Sequence, residues 1–325
     1  MISAAEGGIK KNIFLRKEKT MISNAFYSKV RTIVAAVLCA VSIVATPLTS
    51  FWDDAYKSGT FPEIDVTECA PDSVRVMSFN VRAYDVNKVP NEFRNNLVVD
   101  EILKILPDSL GVQELRVPAY VTLVKKLSAF YSSVGADRDG NFFSERSMIF
   151  YLKGKYKLVD SGTFWLSETP GEKSFGWDAA CRRVCTWAIL ENRATGERYA
   201  HVNTHFDHMG EEARANSPKL ISKLVRGKFQ NLPVVFTGDL NATPESFVYK
   251  AMTSFGLRDA SLAAEDSLTY GTFHDGDAVN NTDKTLDYIL VNDKVSPLIF
   301  RTVTVGVYGR YVSDHFPIYA DVKFN

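Results

Sequence analysis

The sequence predicts an α/β protein in which packed β-sheets are covered by helices. Strand-like runs outnumber helical ones, the two types are interleaved, and the stretch from Val74 to Asn325 is long enough for one large domain. The composition fits that class. Apolar residues make up 46% and charged residues 23%, as in an ordinary globular protein, and there is no internal repeat or low-complexity tract. Formal net charge is zero. That argues against bulk electrostatic capture of nucleic acid but leaves room for a locally basic cleft.

The N-terminus differs from the rest. Lys29 and Arg31 precede an apolar run from Ile33 to Leu48, shorter than the ~20 residues of a spanning helix. Basic flanks and small residues favour a secretory signal peptide or an uncleaved anchor over a buried core helix. The expectation is an exported protein with an N-terminal extension over residues 1–50, attached to a membrane through 33–48 if the segment is retained. The "MIS" at Met1 recurs at Met21, a second candidate start. Residues 51–73 are mixed and turn-rich and read as a linker, and 74–325 as the folded domain. Of Cys39, Cys69, Cys181 and Cys185, the first lies in the apolar run, so one disulfide among the other three is allowed but not required.

Along the domain, "VRVMSFNVR" alternates, with Met77, Phe79 and Val81 on one face and Ser78, Asn80 and Arg82 on the other. Strand signals recur in "DSLGVQE", "RSMIFYLK", "VCTWAILEN", "RYAHVNTHFD", "LPVVFTGDLN", "TLDYILVN" and "HFPIYADVKF". Helices fit between them. Val98, Ile102 and Ile105 recur at helical spacing, and Tyr120, Leu123, Val124 and Leu127 share a face behind Pro118. "EEARANSPKLISKLV" reads as a helix that Pro218 would bend. Thr243 can cap a helix with Pro244 in its first position and Val248, Met252 and Phe255 on its face.

Polar residues at strand ends carry the chemistry. Asp239 and Asn241 are two apart, so on a strand both point to one side. An Asx turn explains them as well as a reaction does. In "YAHVNTHFDH", His201, Asn203, His205 and Asp207 share one face, which is either a solvated outer face or a polar face that needs buried partners. A zinc site of His201, His205 and His208 fails on distance, since the first two would lie about 13 Å apart on a strand and zinc binds at about 2 Å. Asp287 lies within the apolar "TLDYILV", where an acid needs a partner, and His315 of "SDHFP" can supply it.

The series "SFNVR", "GVQE", "NTHFDH", "GDLNATP", "LDYILV" and "SDHFP", in this order, resembles the endonuclease/exonuclease/phosphatase superfamily. That group includes pancreatic-type deoxyribonucleases, abasic-site endonucleases, neutral sphingomyelinases, inositol polyphosphate phosphatases and deadenylases. Each motif alone is weak, but six in order are specific. The match spans Val74 to Asn325. It implies a four-layer sandwich: two mixed β-sheets face to face with helices outside. It also implies a Mg²⁺-dependent (or Mn²⁺-dependent) hydrolase that cleaves a phosphodiester or phosphomonoester by in-line attack of water. Metal ligation falls to Asn80, Glu114 and Asp314. Asp239 activates the water, Asn241 and His205 hold the phosphate, and Asp287 orients His315. Asn203 is expected at the substrate. An Arg or Lys often stands two residues before the "DY" acid; here Thr285 stands there, with Lys284 one earlier.

The segment "SGTFWLSETPGEKSFGWDAACRRVCTW" also resembles a bacterial exported subgroup in which "RxCTW" recurs. Arg183 is the expected phosphate contact, with Arg182 its rival. Trp165 and Trp177 flank a turn-rich loop; they read either as a stacking platform for the substrate or as anchors of the loop itself. The partner implied is a phosphate-ester substrate: nucleic acid, a phospholipid head group or a phosphorylated small molecule. No protein partner is implied. The alternative reading is a non-catalytic ligand-binding or cell-envelope protein of the same fold.

Overall fold

Strands buried on both faces form the centre of the protein. In the computed structural model, which describes residues 63–83, 91–276, 284–307 and 311–325, they assemble into two sheets. The first has seven strands: β1 (Val74–Asn80), β2 (Ser109–Leu115), β3 (Tyr131–Val134), β4 (Arg146–Leu152), β10 (Asp266–Leu268), β12 (Val295–Thr302) and β13 (Ile318–Phe324), in the order β10-β12-β13-β1-β2-β4-β3. The second has six: β5 (Tyr156–Trp165), β6 (Val184–Asn192), β7 (Arg198–His205), β8 (Val234–Asp239), β9 (Arg258–Asp259) and β11 (Asp287–Val291), in the order β5-β6-β7-β8-β11-β9. Both are mixed. β1/β2 and β10/β12 pair in parallel in the first, and β7/β8 in the second; the other pairings are antiparallel.

Helices cover the outer faces. Helices α1 (Asn91–Ile105) and α2 (Ala119–Leu127) bury Val98, Ile102, Ile105, Leu123 and Leu127 with the first sheet. Helices α3 (Glu211–Arg226) and α4 (Phe247–Ser254) bury Ile221, Val225, Val248 and Met252 with the second; α5 (Ala260–Ala263) is a single turn. The result is the expected sandwich of two sheets between helices. Pro218 stays inside α3, which continues through it. Helix α4 starts three residues later than its sequence signals imply. Thr243 to Ser246 form a turn (Ser246 N to Thr243 O, 3.0 Å), and the Ser246 hydroxyl, not Thr243, caps the helix by accepting from Tyr249 N.

Strands β5 and β12 escape a periodicity reading. β5 is a half-exposed edge strand, and β12 carries Pro297 at a register shift. The apolar run 33–48, and the anchor or signal read in it, lies outside the described residues; among these, no helix is long and apolar enough to cross a membrane. The part of the expected linker that is described, from residue 63, packs on the domain. Ile64 is buried and exchanges hydrogen bonds with Thr304, while Ala70 N donates to Asp321 Oδ2. That same carboxylate pairs with the buried Arg75, whose guanidinium lies over Tyr319.

The sheets meet through polar side chains as well as apolar ones. The His201–Asn203 face of β7 points inward and is fully buried. His201 bonds Ser109 Oγ through Nδ1 (2.8 Å) and Thr237 Oγ1 through Nε2 (2.9 Å). Asn203 accepts from Gln113 and Thr237, and its amide nitrogen donates to Val112 O and Met148 O. Both ring nitrogens of His201 and both amide atoms of Asn203 thus have partners at the interface, as low-dielectric burial demands. Asn203, expected at the substrate, is spent here: with every amide valence used between the sheets it has none to offer a ligand.

Candidate active site

The site forms where neighbouring strands stop at one end of the sandwich. Register places His205 beside Asp239 and Asp239 beside Asp287, a row across β7, β8 and β11. From the facing sheet come Asn80, the last residue of β1, and Glu114, at a register shift in β2 with left-handed backbone (φ 56°). The segment Ser313–His315 enters just before β13. Strained backbone of this kind concentrates at sites that the surrounding structure holds rigid.

Asp239 is the hub. Its Oδ2 accepts from Asn80 Nδ2 at 3.0 Å and lies 3.5 Å from His205 Nε2 and 3.8 Å from His315 Nε2. Its Oδ1 accepts from Asn241 N at 2.8 Å, so the Asx turn and the site are one feature. Burial pushes the Asp239 carboxyl up; the two imidazoles pull it back while Asp287 adds to the rise. Asn241, with φ 46°, donates through Nδ2 to His205 Nε2 (2.9 Å) and Phe206 O (3.0 Å). The other ring nitrogen of His205, Nδ1, faces Glu145 Oε1 at 3.6 Å.

His315 is held from the other side. Its Nδ1 lies 2.7 Å from Asp287 Oδ2, which also accepts from Thr272 Oγ1 at 2.6 Å. Burial would lower the His315 pKa, but the charge and hydrogen bond of Asp287, with Asp239 and Asp314, raise it to about 10. Glu114 accepts from Asn80 Nδ2 (3.0 Å) and Ala83 N (2.7 Å). Burial opposes its ionisation, yet His205 and these donors hold it at about 2. Asp314 pairs with Arg82 at 3.0 Å, and burial raises it. The structure therefore gathers Asn80, Glu114, His205, Asp239, Asn241, Asp287, Asp314 and His315 in one cluster.

Arg183 is close by but committed. It is buried, with Nε 3.3 Å from Asp207, Nη1 3.6 Å from Glu145 and Nη2 3.1 Å from His208 Nδ1. Asp207 also accepts from the backbone N–H groups of Ala180, Cys181, Met209 and Gly210, which hold its carboxyl well below the usual range against the cost of burial. Cys181, Asp207 and His208 come close together, but a carboxylate so occupied is a turn organiser. Arg182 stacks on Phe175 and pairs with Asp139. Trp177 sits on the loop before α3 in left-handed conformation, its N–H on Glu168, and is not joined to the cluster. The Trp165 indole donates to Arg138 O, so this ring anchors its loop. Cys69, Cys181 and Cys185 are free thiols.

Sequence reasoning missed Glu145, Thr272 and the role of Arg82. Glu145 is buried; burial opposes its ionisation, but His205, Arg138 and Arg183 around it lower its pKa. Its signal was available: like Asp287, it is an acid at the mouth of an apolar strand run, "ERSMIFYL". Asp239, Asp287 and His315 bring ligand atoms within 4.8 Å of one another, close enough to share an ion. Glu114, Asn80 and Asp314 offer a second oxygen-rich set beside them.

The family model described as "Endonuclease/Exonuclease/phosphatase family" matches residues 77–315. An endonuclease/exonuclease/phosphatase structure from Bacteroides vulgatus is 34% identical, with TM-score 0.73 over 78% of this chain and 99% of that one. A mannosyl-6-phosphatase from Bacteroides thetaiotaomicron is 30% identical, with TM-score 0.71 over 78% of this chain and 100% of that one. The human Nocturnin catalytic domain with bound sulfate anion, at 24% identity and TM-score 0.60 over 78% and 94%, shares the fold. No curated protein matches the chain.

Proposed function

The chain belongs to the endonuclease/exonuclease/phosphatase family, and from that premise we propose that it is an exported, divalent-metal-dependent hydrolase of phosphate esters. The observation that carries this reading is Asp239 Oδ2 with two imidazole nitrogens and the Asn80 amide converging on it. A carboxylate made more basic by burial is suited to take a proton from water. Asp239 orients that water and receives its proton as the water oxygen bonds to phosphorus and the ester oxygen leaves in line. His315, kept protonated by Asp287, donates from Nε2 to a phosphate oxygen and offsets charge on it. Asn241 and His205, hydrogen-bonded to each other without substrate, line the same side, and a phosphate bound there would take over the Asn241 amide donor.

The donor set fits a hard cation. Glu114, Asp239, Asp287 and Asp314 bring four carboxylates together, Asp239 and Asp287 buried and Glu114 and Asp314 half-buried, and no thiol is among them. Glu114 and Asn80, with Asp314, would hold Mg²⁺ or Mn²⁺, which supplies charge neutralisation at the phosphate when bound. Asp287 serves His315 instead, because its Oδ2 is already occupied by Nδ1 and Thr272.

The 30% identical mannosyl-6-phosphatase supports phosphorylated sugars as the first substrates to try, and zero net charge gives no bulk attraction to nucleic acid. The test is phosphate release from a panel with and without Mg²⁺: sugar phosphates, inositol phosphates, sphingomyelin, DNA and RNA. Metal-dependent turnover of one class, lost in Asp239→Asn, is expected. No turnover of any class would overturn the reading. Export rests on Lys29 to Leu48; a full-length chain confined to the cytosol would refute it.

A further inference from the structure

Arg94 stands outside every motif that marks the site, on the first turn of α1. It is buried, and its guanidinium donates to three backbone carbonyls: Val81 O (2.5 Å) and Val312 O (3.1 Å) through Nη1, and Arg82 O (3.1 Å) through Nη2. These carbonyls belong to two chain segments far apart in sequence. One is the exit of β1, which carries Asn80 and the Ala83 N–H that binds Glu114. The other leads into Asp314. Ser313 Oγ joins the same two segments by donating to Asn80 O at 2.7 Å, and Arg82 pairs with Asp314.

The β1 exit needs such a clamp. Arg82 has φ 56°, a left-handed conformation that costs a non-glycine residue energy and persists only where the surroundings over-determine it. Arg82 N donates back to Asn80 Oδ1 (3.0 Å), which fixes which way the Asn80 amide faces. The carbonyls on either side of that peptide turn are the ones Arg94 grips. A guanidinium suits the task because its planar fork reaches several acceptors at once; an ammonium is a point charge.

We propose that Arg94 is a positioning residue that sets the divalent-metal affinity of the Asn80, Glu114 and Asp314 site by locking together the two segments that carry them. The proposal rests on the metal reading given above. Outer partners that orient metal ligands typically cost 10–100-fold in affinity when lost, and Arg94 would act at that level on several ligands together.

The experiment measures Mn²⁺ binding by calorimetry on the substrate-free protein, for wild type, Glu114→Gln, Arg94→Lys and Arg94→Gln. Wild type should bind and Glu114→Gln should not; absence of binding to wild type would sink the metal reading itself. Arg94→Lys should bind about 10–100-fold more weakly, and Arg94→Gln no better than Arg94→Lys. Saturating Mn²⁺ should recover most of the lost turnover, which a damaged core would not allow. Wild-type affinity in a folded Arg94→Lys protein would overturn the proposal. If a variant is unfolded without metal, excess Mn²⁺ should restore its circular dichroism; a variant that stays unfolded assigns Arg94 to the core of the fold and overturns it too.

Discussion

His315 Nδ1 lies 2.7 Å from Asp287 Oδ2, with both side chains buried beside Asp239. The pairing fixes the imidazole tautomer and turns Nε2 toward the Asp239 carboxylate. Asp287→Asn keeps the shape but presents an amide where the ring needs an acceptor. Turnover should fall by about 10⁴-fold, the scale seen when an orienting carboxylate is lost from a His pair. A folded Asp287→Asn protein with wild-type kcat would refute the relay.

The same pair predicts a pH dependence of stability. His315 is raised from an ordinary 6.5 to about 10, so it contributes stability that is fully present below 6.5 and is lost as pH rises through about 10. His201 runs the other way: burial lowers it to about 3, so its contribution holds above 6.5 and is lost as pH falls. Comparing wild type with His315→Gln in metal-free buffer isolates the first effect. The gap between their melting temperatures should narrow from pH 7 to pH 10, and a gap independent of pH would contradict the assignment.

Glu145 faces His205 Nδ1 at 3.6 Å and Arg183 Nη1 at the same distance, and Arg138 Nη1 lies 2.8 Å away. Glu145→Gln removes the negative charge that faces His205 Nδ1 and Arg138, and leaves Arg183 with Asp207 and His208. Steady-state kinetics should show kcat reduced by about 10–100-fold, the lower range of an orienting or general acid–base contribution. An unchanged kcat would reduce Glu145 to a loop brace.

Gly111 lets the sheets approach. A Cβ there would fall 2.1 Å from Thr237 Oγ1 and 2.3 Å from Asn203 Oδ1. Gly111→Ala should destabilise the protein by about 1–3 kcal/mol or more, since the seam must part or lose its hydrogen bonds. Chemical denaturation checks this; wild-type stability would mean that the seam is loosely packed.

Much of the site was legible before any fold was known. Asp239, Asn241, Asp287 and His315 stand at strand ends in motifs whose order is specific, and the structure brings them together. Strand β6 is bounded where its sequence pattern ends. Glu145 and Arg94 were not legible, because their partners lie far away in the chain: Glu145 meets His205 only where β4 packs on β7, and Arg94 meets Val312 only where α1 covers the first sheet. No local spacing records such contacts.

The face of β7 shows most plainly what sequence and fold each decided. Alternation settled that His201, Asn203 and His205 point one way, because successive strand residues alternate by geometry alone. It could not say whether water or a second sheet covered them, because period two is the same for both. The tertiary structure decided that. It spends His201 and Asn203 on hydrogen bonds across the interface, where an unpaired polar group would be costly. It leaves His205, at the strand's end and past the seam, beside Asp239.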